Sequence, residues 1–146
     1  MDNDHNFYDN APVSFPLCLK TECASAGECL RGLAARDLKK NRANLSVINP
    51  LLVDIQGKTA CKFFKKAQKV RVAYGFKRAM MQIPAGHVRN VRSAICGLVC
   101  QRNYYYLLQG EKPMFPDMQK KIAAILLQNG LPVPVEFDHY EWHYEW

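Results

Sequence analysis

Apolar side chains recur at helical intervals from Ala67 to Leu131, whereas residues 1–66 show little sustained periodicity. Val70, Ala73, Tyr74, Lys77 and Met81 fall on one helical stripe, which predicts a helix that Pro84 ends. Val88, Val91, Arg92, Ile95 and Val99 predict a second. In a third, Pro116 and Asp117 suit the first turn, where a missing N–H is harmless and negative charge meets the helix dipole. That helix buries Ile122, Ala123, Ile125 and Leu126, with Met118 beside them, and Gly130 caps it before Pro132. Before residue 67 the pattern supports one short helix between Glu28 and Lys40, with Leu30, Leu33 and Leu38 inward and Ala34 between them. Leu45 to Ile48 reads as a short strand stopped by Asn49-Pro50, and Leu51 to Ile55 as another, ended by Gly57. The fold expected is mainly α: a small helical bundle with a helix-turn-helix-like C-terminal half and an irregular, cysteine-rich N-terminal segment. Three zones follow, residues 1–66, 67–131 and a tail over 132–146.

Charge sharpens this division. The net charge of +7 is uneven. Residues 67–131 hold ten Lys and Arg against two Asp and Glu, residues 1–66 ten against seven, and residues 132–146 four acids with no Lys or Arg. A basic body raises the local concentration of polyanions and suits phosphate contacts that release counterions.

Within the basic zone, residues 89–131 read as a helix, a tight turn at Gly97, a short polar-aromatic helix closed by Gly110, a proline-punctuated loop and a further helix. This is the layout in which one helix braces another that enters the major groove of DNA. Gly97 supplies a permissive backbone for the turn, and the small Ser93 suits a close helix crossing. Tyr104 and Leu108 point inward at i, i+4. Arg102, Tyr106 and Gln109 then face outward, with Gln101 and Asn103 near the N-terminus of the helix. Arg pairs with guanine, and Asn and Gln with adenine. Tyr105 and Tyr106 add phosphate or groove contacts, and Arg89, Arg92 and Lys112 neutralise the backbone. Double-stranded DNA is the expected partner.

The run Cys100-Gln-Arg-Asn-Tyr-Tyr-Tyr-Leu-Leu-Gln-Gly110-Glu-Lys-Pro, followed by Gln119-Lys-Lys-Ile-Ala-Ala-Ile125, resembles small bacterial helix-turn-helix proteins of the phage-repressor type. It departs from them in a turn about one residue longer, and in a cysteine where Ser or Thr commonly caps the reading helix. The whole chain also resembles a family of short bacterial proteins of unknown activity. Its marks here are the Cys-rich stretch from Cys23 to Arg31, an Asn-Pro, and a later Cys-x-Phe-Phe. That resemblance implies that the two halves belong together and carries no activity with it.

Cys18, Cys23, Cys29 and Cys61 lie in the irregular first half. Four thiols in a chain expected to be cytoplasmic suit one structural zinc, held tetrahedrally, which contributes folding energy to a segment too irregular to bury much core. Their spacing lacks the CxxC knuckle of common zinc fingers. An iron–sulfur cluster needs the same four thiolates. Buried thiol fillers and disulfides are the alternatives. Cys96 and Cys100, at i, i+4, are expected to pack in the core.

No catalytic signature competes. His5, His87, His139 and His143 do not stand in a metalloprotease spacing, and no Walker loop, GxSxG or GxGxxG occurs. A non-enzymatic protein is expected. No apolar run approaches the ~18 residues of a membrane span, and the polar N-terminus has no signal-peptide pattern. The tail repeats His-Tyr-Glu-Trp at 139–142 and 143–146. Three roles suit it: covering core apolar surface, folding over the basic body in competition with nucleic acid, or anchoring Trp142 and Trp146 in a protein partner's groove.

Overall fold

A computed structural model describes residues 7–53 and 61–146. The chain forms two compact units, residues 1–68 with Trp146, and residues 69–145. Six α-helices and a two-stranded antiparallel sheet are present among the described residues. The expected mainly α bundle is therefore corrected to a mixed α/β fold.

In the first unit, α1 (Phe7–Asn10) and α2 (Leu30–Arg36) are joined by extended and turning backbone. Leu30 and Ala34 of α2 are fully buried, as their spacing predicts, while Leu33 is half-buried and Leu38 lies past the helix end, exposed. At Gly32 a Cβ would stand 2.9 Å from the Ala26 carbonyl oxygen, so glycine lets α2 lie directly on that backbone. The strand expected at Leu45 to Ile48 contracts to a single parallel bridge between Leu17 and Val47. Pro50–Leu52 is a 3-10 turn, with the Asn49 side chain accepting from the Leu51 N–H. Val53 follows it in extended backbone, and Asp54, Ile55 and Gly57 lie outside the described residues. Arg31 ties the unit together: Nε donates to the Phe63 carbonyl and Nη1 to that of Pro16, with the guanidinium 4.5 Å from the Phe15 ring centre.

The second unit runs β1 (Lys69–Tyr74), α3 (Lys77–Gln82), α4 (Val88–Leu98), α5 (Gln101–Gln109), α6 (Pro116–Gln128) and β2 (His139–Tyr144). The single helix expected before Pro84 is instead a strand and a short helix, broken at Gly75 (φ +71°). Lys-Val-Arg-Val-Ala-Tyr alternates as well as it coils, and two of its residues are β-branched. A partner far along the chain decides the matter: β1 pairs with β2 from Lys69↔Tyr144 to Tyr74↔His139. On the other edge of β1, Ala73 exchanges both backbone hydrogen bonds with Met114. The tail is thus a strand of the second unit, and Leu131 and Phe137 leading into it are buried in the core.

Val91 and Ile95 of α4, Tyr104 and Leu107 of α5, and Ile122 and Leu126 of α6 meet Phe76, Ala79 and Met114 in one core. Each fully buried Ile or Leu contributes about 1.5–3 kcal/mol relative to exposure. Pro116 and Asp117 open α6 as expected. Gln119 Nε2 donates to the carbonyls of Arg71 and Met114, each at 2.7 Å, which fixes the start of α6 against the sheet.

Candidate nucleic-acid interface and cysteine cavity

Two residues, Val99 and Cys100, connect α4 to α5. Gly97 lies within α4, and a Cβ there would meet nothing within 4 Å, so the turn does not depend on it. The backbone reverses at Cys100, whose φ of 33° belongs to glycine's range, and its side chain makes no cap hydrogen bond. Gly110, at φ +81°, closes α5 in the left-handed conformation that only glycine adopts at little cost.

On α5 the inward pair is Tyr104 and Leu107. Leu108, expected inward, is half-buried at the margin. Rotating the face by one position brings Tyr105 to the surface between Arg102 and Gln109, and leaves Tyr106 half-buried on the flank. Tyr105 belongs to the outward set as firmly as Tyr106, and a helical wheel phased on Tyr104 and Leu107 would have placed it there.

Cations and tyrosines alternate across this surface. The Arg102 guanidinium carbon lies 5.6 Å from the Tyr106 ring centre, and Nε donates to the Tyr106 hydroxyl at 3.1 Å. This leaves the donors on both Nη atoms for another acceptor. Lys112 Nζ is 5.1 Å from the centre of the same ring and donates to Asn103 Oδ1 at 2.8 Å. Arg92, from α4, covers Tyr105 at 5.2 Å and donates to its hydroxyl. Burial pushes the Tyr104 hydroxyl above the ordinary tyrosine range; the Arg92 charge opposes this, and Cys96 and Tyr105 add to it. Of the seven expected DNA contacts, Arg92, Arg102, Asn103, Tyr106 and Lys112 are thus tied into the α5 surface. Gln101 is exposed on the first turn of α5. Arg89 is exposed on the first turn of α4, and no hydrogen bond or ring contact ties it to the others.

A second polar group lies in the tail, on β2, a strand to which the sequence pattern assigns no element. In a strand, side chains two apart share a face, so His139, Glu141 and His143 stand together with Tyr74 across from them. Nε2 of His139 and Nε2 of His143 donate to the two Glu141 oxygens at 3.0 and 2.6 Å, and Tyr74 Oη lies 3.3 Å from His143 Nε2. These hydrogen bonds, that from His143 foremost, hold the Glu141 carboxyl below its ordinary range. Burial, and then the neighbouring Glu141 charge, push Tyr74 up. The tetrapeptide repeat is the signal that could have found this group, because its two histidines are spaced evenly about Glu141.

In the first unit, Cys18, Cys23, Cys29 and Cys61 all line one small cavity, together with Lys20, Arg31, Val53, Phe63 and Phe64. All six cysteines are free thiols. Among the described residues, no three His, Cys, Asp or Glu side chains stand close enough, as oriented, to share one ion. Cys96 is half-buried beside the core of the second unit, and Cys100, expected in the core, is exposed.

The molecule defined by these features is a small two-unit α/β protein, with a tight helix pair bearing a basic-aromatic surface in one unit and a thiol-lined cavity in the other. The chain belongs to a family of unknown function, DUF6078, whose profile matches residues 1–146. Neither the curated proteins nor the solved structures include one that matches it.

Proposed function

We propose that the protein binds double-stranded DNA through the α4–turn–α5 pair, with α5 presented to the major groove as a recognition helix. The observation that carries this reading is the division of α5. Tyr104 and Leu107 are buried, while Arg102, Tyr105 and Gln109 form an exposed face flanked by Arg92 and Lys112. Arg and Gln are residue types that read base edges, and the cations beside them suit phosphates. The excess of positive charge over residues 67–131 supports the same partner, as does the resemblance of residues 89–131 to phage-repressor-type proteins. Arg102, Asn103 and Tyr106 face the bases in this reading, with Gln101 at the helix start and Tyr105 joining them; Arg89, Arg92 and Lys112 face phosphates. The role is that of a binding protein, a regulator acting in the bacterial cytoplasm, and not of an enzyme.

The pairing of residues 139–144 with β1 as β2 favours a tail that leaves the α5 surface open to DNA. A fluorescence titration of the full chain against pooled genomic fragments at low salt tests the reading. Saturable binding that weakens steeply with added salt is expected. Absence of any shift at micromolar protein rules the reading out.

A further inference from the structure

The chain brings its four N-terminal cysteines to one place from separate backbone segments. Cys18 follows the Leu17 bridge and donates its N–H to the Arg31 carbonyl at 3.2 Å. Cys23 stands in a turn, its carbonyl accepting from Ala26 at 3.0 Å. Cys29 is buried at the start of α2, bridged to Lys66. Cys61 opens another turn, its carbonyl accepting from Phe64 at 2.9 Å. The cavity between them measures about 20 Å³, room for one water-sized body.

Thiols that serve only as small apolar fillers close such a void; these four surround it. Lys20 and Arg31 contribute to the same walls, which are almost wholly apolar, so their aliphatic stems rather than their charged heads line the cavity. Arg31 also braces two of the cysteine segments. Its hydrogen bonds to Pro16 and Phe63 fix the backbone two residues before Cys18 and two residues after Cys61.

We propose that Cys18, Cys23, Cys29 and Cys61 bind one zinc-class divalent cation as a tetrathiolate, and that this ion is the central cross-link of the first unit. Each S–H releases its proton to solvent and each sulfur donates an electron pair to the metal, with no change of oxidation state. The thiols as oriented stand back from one another. Metal binding therefore requires the side chains to turn about χ1, which carries a sulfur by about 3 Å between staggered positions, until each sulfur reaches the bonding distance of about 2.3 Å. Arg31 acts as a positioning residue for two of the four ligands.

Metal analysis of the full chain, purified without chelator from zinc-supplemented medium, is the test. About one zinc per chain is expected. Exchange with cobalt(II) should produce the intense sulfur-to-cobalt charge-transfer absorption and visible bands of a tetrahedral thiolate site. Cys18→Ser and Cys61→Ser should each weaken zinc at least about ten-fold in competition with a chelating dye, while the double variant Cys96→Ser with Cys100→Ser holds zinc like the parent. Should either single variant fail to fold, the cobalt spectrum of the parent still decides. Folded parent protein that takes up neither zinc nor cobalt overturns the proposal. So do a mass showing disulfides among the four, iron with inorganic sulfide in place of zinc, or zinc retained undiminished in the folded single variants. None of these readouts involves DNA, so the proposal stands or falls separately from the DNA-binding reading.

Discussion

Gly75 leaves open the space that the Asp138 carboxylate occupies. A Cβ at Gly75 would come within 2.6 Å of Asp138 Oδ2, and Gly75 already sits at φ +71°. In that space the carboxylate accepts from the N–H groups of Lys77 at 2.7 Å and Arg78 at 3.0 Å. The Asp138 N–H in turn donates to the Gly75 carbonyl. A residue about sixty positions away caps α3, and the same contact anchors the entry to β2.

Two substitutions probe this contact. Gly75→Ala should lower unfolding stability by about 2 kcal/mol or more, because the left-handed backbone alone costs about 1–2 kcal/mol and the carboxylate must also leave the cap. Asp138→Ala should cost about 1 kcal/mol, the usual loss of a helix cap, with Asp138→Asn intermediate. Urea denaturation of the three variants checks the order.

Removing residues 136–146 should unfold the second unit rather than unmask a DNA surface. The deletion takes the Asp138 cap, the whole of β2 and Phe137, which is buried in the core. Loss of a buried Phe side chain alone costs about 3–5 kcal/mol. Loss of the near-ultraviolet circular dichroism signal is the expected result; a folded truncated chain would contradict it.

Acid should loosen the tail through Glu141. Its carboxyl is held below the ordinary range by His143 and His139, so the unfolded chain takes up this proton at a higher pH than the folded one. The stabilisation is therefore present above the ordinary carboxylate range and disappears as the pH falls through the depressed folded value. Thermal melts of the parent and Glu141→Gln should differ at neutral pH and converge in acid.

Relief of backbone strain is expected from Cys100→Gly. A φ of 33° with ψ of 158° is unfavourable for any residue with a Cβ. The substitution should raise stability by about 1 kcal/mol, measurable as a higher Tm, and leave the α5 surface unchanged.

On that surface, Arg102→Ala should cost about 1–3 kcal/mol on a specific DNA site if its Nη donors contact a guanine. Lys112→Ala should weaken all sequences alike and reduce the salt slope by about one. Titrations at several salt concentrations separate the two effects.

Helices α4, α5 and α6 were legible because their apolar spacing, Pro116 and the two closing glycines, Gly110 and Gly130, are local signals. The chemistry-bearing residue types of α5 were legible for the same reason, although their phase was not. Leu107 and Leu108 are adjacent, and packing against Phe76 and Met114 chooses between them.

The sequence by itself determined the C-terminal helices and the basic zone. It did not determine the sheet. Lys69 to Tyr74 suits either period, and the hydrogen bonds that make it a strand come from His139 to Tyr144 at the far end of the chain. Nor did it determine that Asp138 caps α3, or that Cys61 joins Cys18, Cys23 and Cys29 around one cavity. Helical spacing is a property of neighbours in sequence, whereas strand pairing, remote capping and the meeting of distant thiols exist only once the chain has closed its long loops.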